Sequence, residues 1–230
     1  MSIVWSHSSL EQFKNCPHQY NEMRRLKSFT ADYGDAAEWG RVVHSSLEEY
    51  VRDGKPMPMN VKPFQKYGDA IKNLPGETFC EIKLAITRDY KPVAFFGPDV
   101  WGRGVLDVIK INGVEAKILD YKTGSSQYAT NTQAERNAVM LFAAYPNIER
   151  VSTRWMYFKD GTVKAGEYDR ADIPKIMEPT ELVVSQIETA IEIDQWPKRT
   201  SGLCGYCDVV TCQFNTKAQR IERQKKFGKR

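Results

Sequence analysis

Three features that would point to a secreted or membrane protein are missing from this sequence of 230 residues. No apolar run approaches the roughly 20 residues that span a bilayer, and the N-terminus lacks a secretory signal pattern. Cysteine is limited to five residues, an odd number whose spacing is unlike a disulfide framework. We therefore expect no membrane partner and reduced thiols in the cytoplasm. These absences leave open whether the cell or a phage acting in it encodes the chain.

Strong charge of one sign is also absent. The net charge is +4 and the pI about 8.7, which permits binding to nucleic acid without establishing it. A hydrophobic content of 41% can fill one substantial core. The sequence therefore predicts one domain over residues 1–216, followed by a basic tail at 217–230 that is either solvated or binds phosphates.

A β-hairpin is predicted around Asn112-Gly113, a strong signal for a tight turn. The flanking residues 105–111 and 116–121 are rich in Val, Ile and Leu. A two-residue turn at this dipeptide sets Ile111 opposite Val114.

With that register, Asp107, Asp120 and Lys122 share one face of the hairpin. The two carboxylates become diagonal neighbours, with Cα atoms roughly 7–8 Å apart, and can both reach one divalent cation. The alternative is a solvated strand face, but apolar residues flank Asp107 on both sides, where an unpartnered carboxylate is rare.

Histidine is scarce as well, with three residues in the chain. His44 lies one turn after Gly40 on a predicted amphipathic helix at 36–52, where an isolated histidine is more often structural than a ligand. A predicted strand at 77–87 places Glu81 on the face of Phe79 and Lys83.

Cys204, Cys207 and Cys212 form a thiolate cluster that a cytoplasmic protein seldom keeps without a metal. No later Cys or His can supply a fourth ligand, so Cys16 is the first candidate and His18 the second. Zinc and an iron–sulfur cluster would both accept such a ligand set.

Weaker signals complete the secondary structure. Ser8 or Ser9 is a candidate N-cap for a first helix that ends near Cys16-Pro17. The remaining predictions are a linker at 54–76 with a short helix at 64–73, a helix at 131–145, a hairpin of 150–159 with 162–168, and a helix at 179–193.

Gly102-x-x-x-x-Asp107, followed by the DYKTG run at 120–124, resembles the active-site hairpin of the RecB-like group of PD-(D/E)XK nucleases. That group includes the iron–sulfur-containing CRISPR-associated adaptation nucleases and AddAB-type nuclease domains. The N-terminal pattern S-x-L-x-x-F-x-x-C-P-x-x-Y and the C-terminal C-x-x-C are similar to it too. The resemblance implies an α/β, restriction-endonuclease-like mixed central sheet flanked by helices, with an αβββαβ core. Segments 1–30 and 196–216 would join at a metal cluster.

The resemblance also implies a metal-dependent DNA nuclease, an exonuclease acting on single-stranded DNA or DNA ends. Its implied site residues are catalytic Asp107, Asp120, Lys122 and Glu81; ligands of Mg²⁺ or Mn²⁺ at His44, Asp107, Asp120 and the Tyr121 carbonyl; [4Fe–4S] ligands Cys16, Cys204, Cys207 and Cys212; and DNA contacts Gln133 and Arg103. Asn137 stands where the group's Q-x-x-x-Y motif has tyrosine, so that motif is incomplete. Partners beyond DNA would be a second copy of the chain or a recombination or adaptation protein.

Two other classes of function remain open. One is an inert nucleic-acid-binding module that keeps the fold, although intact Asp107, Asp120 and Lys122 argue against it. The other is an interaction protein stabilised by zinc, whose acids are surface charges.

Overall fold

The computed structural model of the chain describes residues 3–32 and 34–227. Its helices are α1 (His7–Asn15), α2 (Pro17–Tyr20), α3 (Gly34–Asp53), α4 (Gln65–Lys72), α5 (Thr132–Ala144), α6 (Ile173–Glu192) and α7 (Lys217–Phe227). Its strands are β1 (Glu77–Ile86), β2 (Gly102–Asn112), β3 (Glu115–Lys122), β4 (Arg150–Tyr157) and β5 (Thr162–Asp169). The predicted α/β class is confirmed.

The five strands form one mixed sheet in chain order, β1 to β5. Neighbouring strands are antiparallel except for β3 and β4, which are parallel. Parallel neighbours need a crossover connection, and α5 supplies it. The order α3, β1, β2, β3, α5, β4 is the predicted αβββαβ core, and β5 completes the predicted second hairpin across Asp160-Gly161.

Apolar side chains pack into two clusters that involve different helices. The first cluster joins the sheet to α5 and includes Leu106, Ile109, Ile118, Ala138 and Phe142. The second joins the sheet to α3 and α4 and includes Val43, Leu47, Ile71, Val108 and Tyr121. Burying each large apolar side chain contributes about 1.5–3 kcal/mol, so these clusters are what fixes the helices to the sheet.

The register of the β2–β3 hairpin differs from the prediction by two residues. Ile111 pairs with Ala116 rather than facing Val114, because the two loop residues are Gly113 and Val114. Gly113 has φ +65°, the left-handed conformation that a type II′ turn needs only at its first central position. The turn signal was therefore correct, but the turn begins one residue later than predicted.

Residues 54–76 are not a linker outside the core, as the sequence suggested. The short helix is confirmed as α4, but Met57, Val61 and Ile71 are all buried in the second cluster. The many proline and lysine residues of this segment made it look like an exposed linker, and the sequence pattern did not show that its apolar residues are buried.

Two helix boundaries also differ from prediction. The first helix starts at His7, so Ser8 and Ser9 lie inside it rather than at the N-cap. The sixth starts at Ile173 and contains Pro179, because packing of the fully buried Met177 offsets the cost of an interior proline.

The chain divides into two compact units. The first holds the sheet within Gly34–Thr180, together with residues 3–7. The second holds residues 8–32 and 181–227, where the Trp196 ring packs against Phe13 and Tyr20. The single domain over 1–216 stays a prediction, and residues 228–230 of the basic tail lie outside the described residues.

Among the helices of 3–32 and 34–227, none has the length and apolar character that crossing a bilayer requires.

Candidate metal centre

Side chains along β1 change face at Glu81. Phe79 packs with the first cluster and Cys80 with the second, yet Ile82 and Leu84 pack with the first. Regular alternation would send Phe79 and Ile82 to opposite faces. The prediction that Glu81 shares a face with Phe79 is therefore wrong, because Glu81 lies beside His44 of α3 whereas Phe79 packs with the first cluster.

The cause is the backbone of Glu81, which has φ +52° in the middle of the strand. The β1–β2 register is the same on both sides of this residue, since Cys80 pairs with Val108 and Ile82 with Leu106. The intervening residues Glu81 and Asp107 are absent from the ladder. One residue in each strand thus leaves the regular pleat at the same level.

Asp107 marks the matching change on β2. Leu106 and Ile109 belong to the first cluster, whereas Val108 belongs to the second. Asp107 Oδ2 accepts a hydrogen bond from the Tyr121 amide at 2.9 Å and lies 3.2 Å from His44 Nδ1 on α3. The carboxylate is therefore fixed from both β3 and α3.

Helix α3 lies against the end of β3 at Gly40, one turn before His44. A Cβ at Gly40 would be in ordinary van der Waals contact with Thr123 Oγ1, at 3.4 Å, in the residue that follows β3. The His44 ring also meets the Tyr121 ring edge to face, with centroids 5.7 Å apart. Burial lowers the pKa of His44, but the hydrogen bond and charge of Asp107, with Asp120, outweigh it, so that pKa is raised.

His44, Glu81 and Asp107 form a group that could hold a metal ion. One ligand atom from each lies within 4.8 Å of the others. The pKa of Glu81 is raised by burial, then by the charges of Asp107 and Glu48. Three donors in this space, two of them carboxylates, suit a hard divalent cation.

Glu48 is a residue that the sequence reasoning missed. It follows His44 by one helical turn, pairs with Arg52 and lines an open cleft with His44 and Glu81. The spacing of four residues from His44 was the available signal, since such residues share a helix face.

The left-handed backbone conformation of Glu81 should lower the stability of the folded protein. The left-handed region costs a non-glycine residue about 1–2 kcal/mol, so Glu81→Gly should unfold at higher denaturant concentration than Glu81→Ala. At the exposed strand position Lys83 the order should be reversed, with Lys83→Gly less stable than Lys83→Ala. Urea unfolding of the four variants measures both differences. Equal stability of the two Glu81 variants would contradict the left-handed backbone.

Asp120 and Lys122 form the second part of the centre. Asp120 is 2% exposed, and its Oδ2 lies 2.7 Å from Lys122 Nζ. Burial and the charge of Asp107 raise the pKa of Asp120 to about 7, against the lowering effect of Lys122 and His44. Asp120 lies outside the group of three, and extending the observed register by one pair sets it directly opposite Asp107 rather than diagonally.

Three further residues of the first unit were predicted as site residues: Tyr121, Gln133 and Arg103. Tyr121 is buried on β3, and the metal-binding role of its carbonyl stays a prediction. Gln133 lies in the first turn of α5, and the Arg103 guanidinium lies against the Phe95 and Phe96 rings. The predicted DNA contacts of Gln133 and Arg103 stay predictions.

Cys16, Cys204, Cys207 and Cys212 line one cavity in the second unit, with His18. Burial raises the pKa of Cys207, and the charges of Cys16 and Cys212 add to this against a hydrogen bond from Val209. Among the described residues, no three of these sulfur atoms lie within 4.8 Å of one another. A single zinc with Zn–S bonds of about 2.3 Å needs sulfurs roughly 3.8 Å apart, so the spacing is too wide for zinc as it stands.

The start of helix α7 contacts residues 207–209, between the clustered cysteines. The sequence reasoning did not predict this helix or its contacts. Asn215 donates from Nδ2 to the carbonyls of Cys207 and Val209, at 2.8 and 3.0 Å, and accepts from the Lys217 amide at the start of α7. Lys217 Nζ contacts Asp208 at 2.5 Å. Asn215, two residues before a run of good helix formers, was the signal for this start.

A model of the PD-(D/E)XK nuclease superfamily matches residues 4–212. Among solved structures, a candidate exonuclease from Eubacterium rectale has 11% identity and a TM-score of 0.51, covering 90% of this chain and 85% of its own. The protein SSO0001 has 15% identity and a TM-score of 0.49, covering 94% of this chain and 88% of its own. A search of curated proteins gives no significant match.

Proposed function

Because the chain belongs to the PD-(D/E)XK nuclease superfamily, we propose that it is a Mg²⁺- or Mn²⁺-dependent deoxyribonuclease of the RecB-like group. The observation that carries this is the group of His44, Glu81 and Asp107, whose ligand atoms lie within 4.8 Å of one another, together with the buried Asp120 that pairs with Lys122. In its finer form, we propose an exonuclease that acts in the cytoplasm on single-stranded DNA or on DNA ends.

The roles follow from the contacts of each side chain. Asp107 and His44 would hold the ion, and His44 would favour Mn²⁺ because imidazole suits softer cations than Mg²⁺. Glu81 would complete the donor set or orient a water, and Asp120 would add a carboxylate from β3. When bound, a divalent cation polarises the scissile phosphate and lowers the pKa of a bound water.

Lys122 acts on charge in the transition state. Its ammonium is held by Asp120 at 2.7 Å, so it is fixed before substrate arrives. A preorganised cation stabilises the extra negative charge on the phosphorane without a cost of reorientation.

The cysteine cavity supports a structural cluster in this proposal. Cys16, Cys204, Cys207 and Cys212 would hold [4Fe–4S], joining the N- and C-terminal segments of the second unit within one functional domain over 1–216. Four thiolates suit an iron–sulfur cluster and also a zinc ion, which stays the alternative.

The proposal is tested by digestion of end-labelled single- and double-stranded DNA with Mg²⁺, Mn²⁺ or excess chelator. We expect cleavage with either ion and none in chelator. DNA binding without cleavage under every metal condition would instead favour an inert binding module.

The buried carboxylate predicts a pH dependence for the metal-free protein. The folded-state pKa of Asp120 is about 7 and its ordinary value is 3.8, so the folded protein keeps a proton that the unfolded chain has lost between these values. Stability therefore falls as pH rises through this window, and the raised pKa of His44 acts in the same direction. Thermal unfolding in chelator from pH 5 to 8 should show a falling midpoint in the wild type.

Two comparisons sharpen this measurement. Asp120→Asn should flatten the curve, since the amide does not titrate. Added Mn²⁺ should raise the wild-type midpoint most at pH 8, where the carboxylate is ionised. A wild-type midpoint that rises steadily between pH 5 and 8 would contradict the raised pKa of Asp120.

A further inference from the structure

The connection between β1 and β2 presents two adjacent phenylalanines at the tip of a turn. Phe95 and Phe96 are its central residues, and the Gly97 amide donates to the Ala94 carbonyl at 2.7 Å to close it. The two rings meet edge to face, with centroids 5.0 Å apart. We call Phe95 and Phe96 the aromatic turn.

The backbone that leads to the aromatic turn is tied to the sheet. The Val93 amide donates to the Ala85 carbonyl at 3.1 Å, and the Trp101 amide donates to the Ile86 carbonyl at 2.9 Å. The exposed ring is therefore held on ordered backbone, yet Phe96 is 80% exposed. The exposed ring therefore offers an apolar face for stacking at a fixed place on the surface.

The positively charged side chain of Arg103 lies beside the two rings of the aromatic turn. The Arg103 guanidinium lies 5.3 Å from the Phe95 centroid and 5.5 Å from that of Phe96, within cation–π range. Arg103 is itself positioned by its backbone, whose amide donates to the Trp5 carbonyl at 3.0 Å. Exposed aromatic faces beside a positive charge are what proteins use to bind the bases and phosphates of single strands.

Strand β2, which contains Arg103, also contains Asp107 of the group of three (His44, Glu81 and Asp107). A Cβ at Gly104 would meet Met140 and Asn137 of α5, and Leu106 packs in the cluster that contains α5. Arg103, the half-exposed Val105 and Asp107 therefore follow the opposite face, where Asp107 meets His44. At about 3.3 Å per residue, Arg103 and Asp107 are roughly 13 Å apart along the strand.

We propose that the aromatic turn and Arg103 bind an unpaired base of the DNA, so that the substrate is a single strand or a frayed end. Phe96 stacks on the base, while Arg103 contacts the adjoining phosphate. This inference rests on the proposed nuclease function and names the residues that would recognise the single-stranded form of its substrate. A duplex keeps its bases stacked on one another and offers no free base face to Phe96.

The test measures binding without cleavage. Anisotropy of a labelled single strand and of a blunt duplex in excess chelator should show that Phe96→Ala weakens single-strand binding by about 5- to 150-fold, the range for losing one aromatic stacking contact. Duplex binding should change by less than twofold. Phe96→Trp should restore single-strand affinity, and Met59→Ala, which removes an equally exposed apolar side chain, should have no effect.

An abasic scan of the oligonucleotide supplies an independent readout. One abasic position should weaken wild-type binding and leave Phe96→Ala binding unchanged, because the base and the ring are partners in one contact. Wild-type protein that binds and cleaves DNA while Phe96→Ala binds single strands equally well would overturn this inference alone, leaving the turn to a protein partner. Wild-type protein that neither binds nor cleaves DNA would overturn the proposed function together with it.

Discussion

Asp107→Asn should lower DNA cleavage by about 10³-fold or more, the scale of losing a principal electrostatic element of an active site. The carboxylate serves three partners, since it accepts from the Tyr121 amide, pairs with His44 and belongs to the metal group with Glu81. An amide of the same shape keeps part of the hydrogen bonding but loses the charge that binds the cation. Initial rates on end-labelled DNA at saturating Mn²⁺ measure the effect.

Binding and folding separate this effect from general damage. Asp107→Asn should bind single-stranded DNA in chelator as well as the wild type does, and its stability should be equal or higher because repulsion with Asp120 is relieved. Asp99→Asn, at an exposed carboxylate of the same unit, should keep full activity. Wild-type rates in Asp107→Asn, or wild-type cleavage that persists in chelator, would refute the metal site.

Cys204→Ser should remove the iron and the visible absorbance of anaerobically purified protein and lower its thermal stability. In the proposal, Cys16 and Cys204 are tied through one cluster, which closes a loop of most of the chain. Such a closure is worth about 4–5 kcal/mol on the model used for disulfides. Iron, sulfide and zinc assays, with thermal unfolding, measure the result; Cys16→Ser, Cys207→Ser and Cys212→Ser should behave alike.

Cys80→Ser is the matched control. Burial raises the pKa of the Cys80 thiol to about 11, its side chain packs in the second cluster, and it is not among the residues that line the cysteine cavity. Its replacement should cost only packing and leave the iron content unchanged. Equal iron in Cys16→Ser and wild type would point to His18 as the fourth ligand, whereas zinc without iron in every protein would replace the iron–sulfur proposal.

A substitution that removes metal binding at one site should leave the other intact, because the group of His44, Glu81 and Asp107 and the cysteine cavity lie within different compact units. Asp107→Asn should keep its iron, and a cluster variant that still folds should keep Mn²⁺ binding at His44, Glu81 and Asp107. Calorimetric titration with Mn²⁺ on both variants checks this separation. Loss of iron in Asp107→Asn would show that the metal group and the cysteine cavity depend on each other.

The sequence by itself determined the local elements and the chemistry they carry. Runs rich in Val, Ile and Leu on either side of Asn112-Gly113 were enough to predict the hairpin, and the spacing of Gly40 and His44 was enough to place both on one face of α3. These features depend on neighbours within a few residues, so a single sequence contains them. The cysteine spacing likewise indicated a shared site before the cavity was seen.

Only the tertiary structure decided how these elements are aligned. Turns beginning at Asn112 or Gly113 both satisfy the local pattern, and contacts across the whole sheet select the second, which sets Asp107 opposite Asp120. The left-handed backbone of Glu81 is unfavourable in isolation, so no local rule predicts it. It is held by the surrounding ladder and by packing on α3 and α5, and these long-range contacts bring Glu81 to His44 and Asp107.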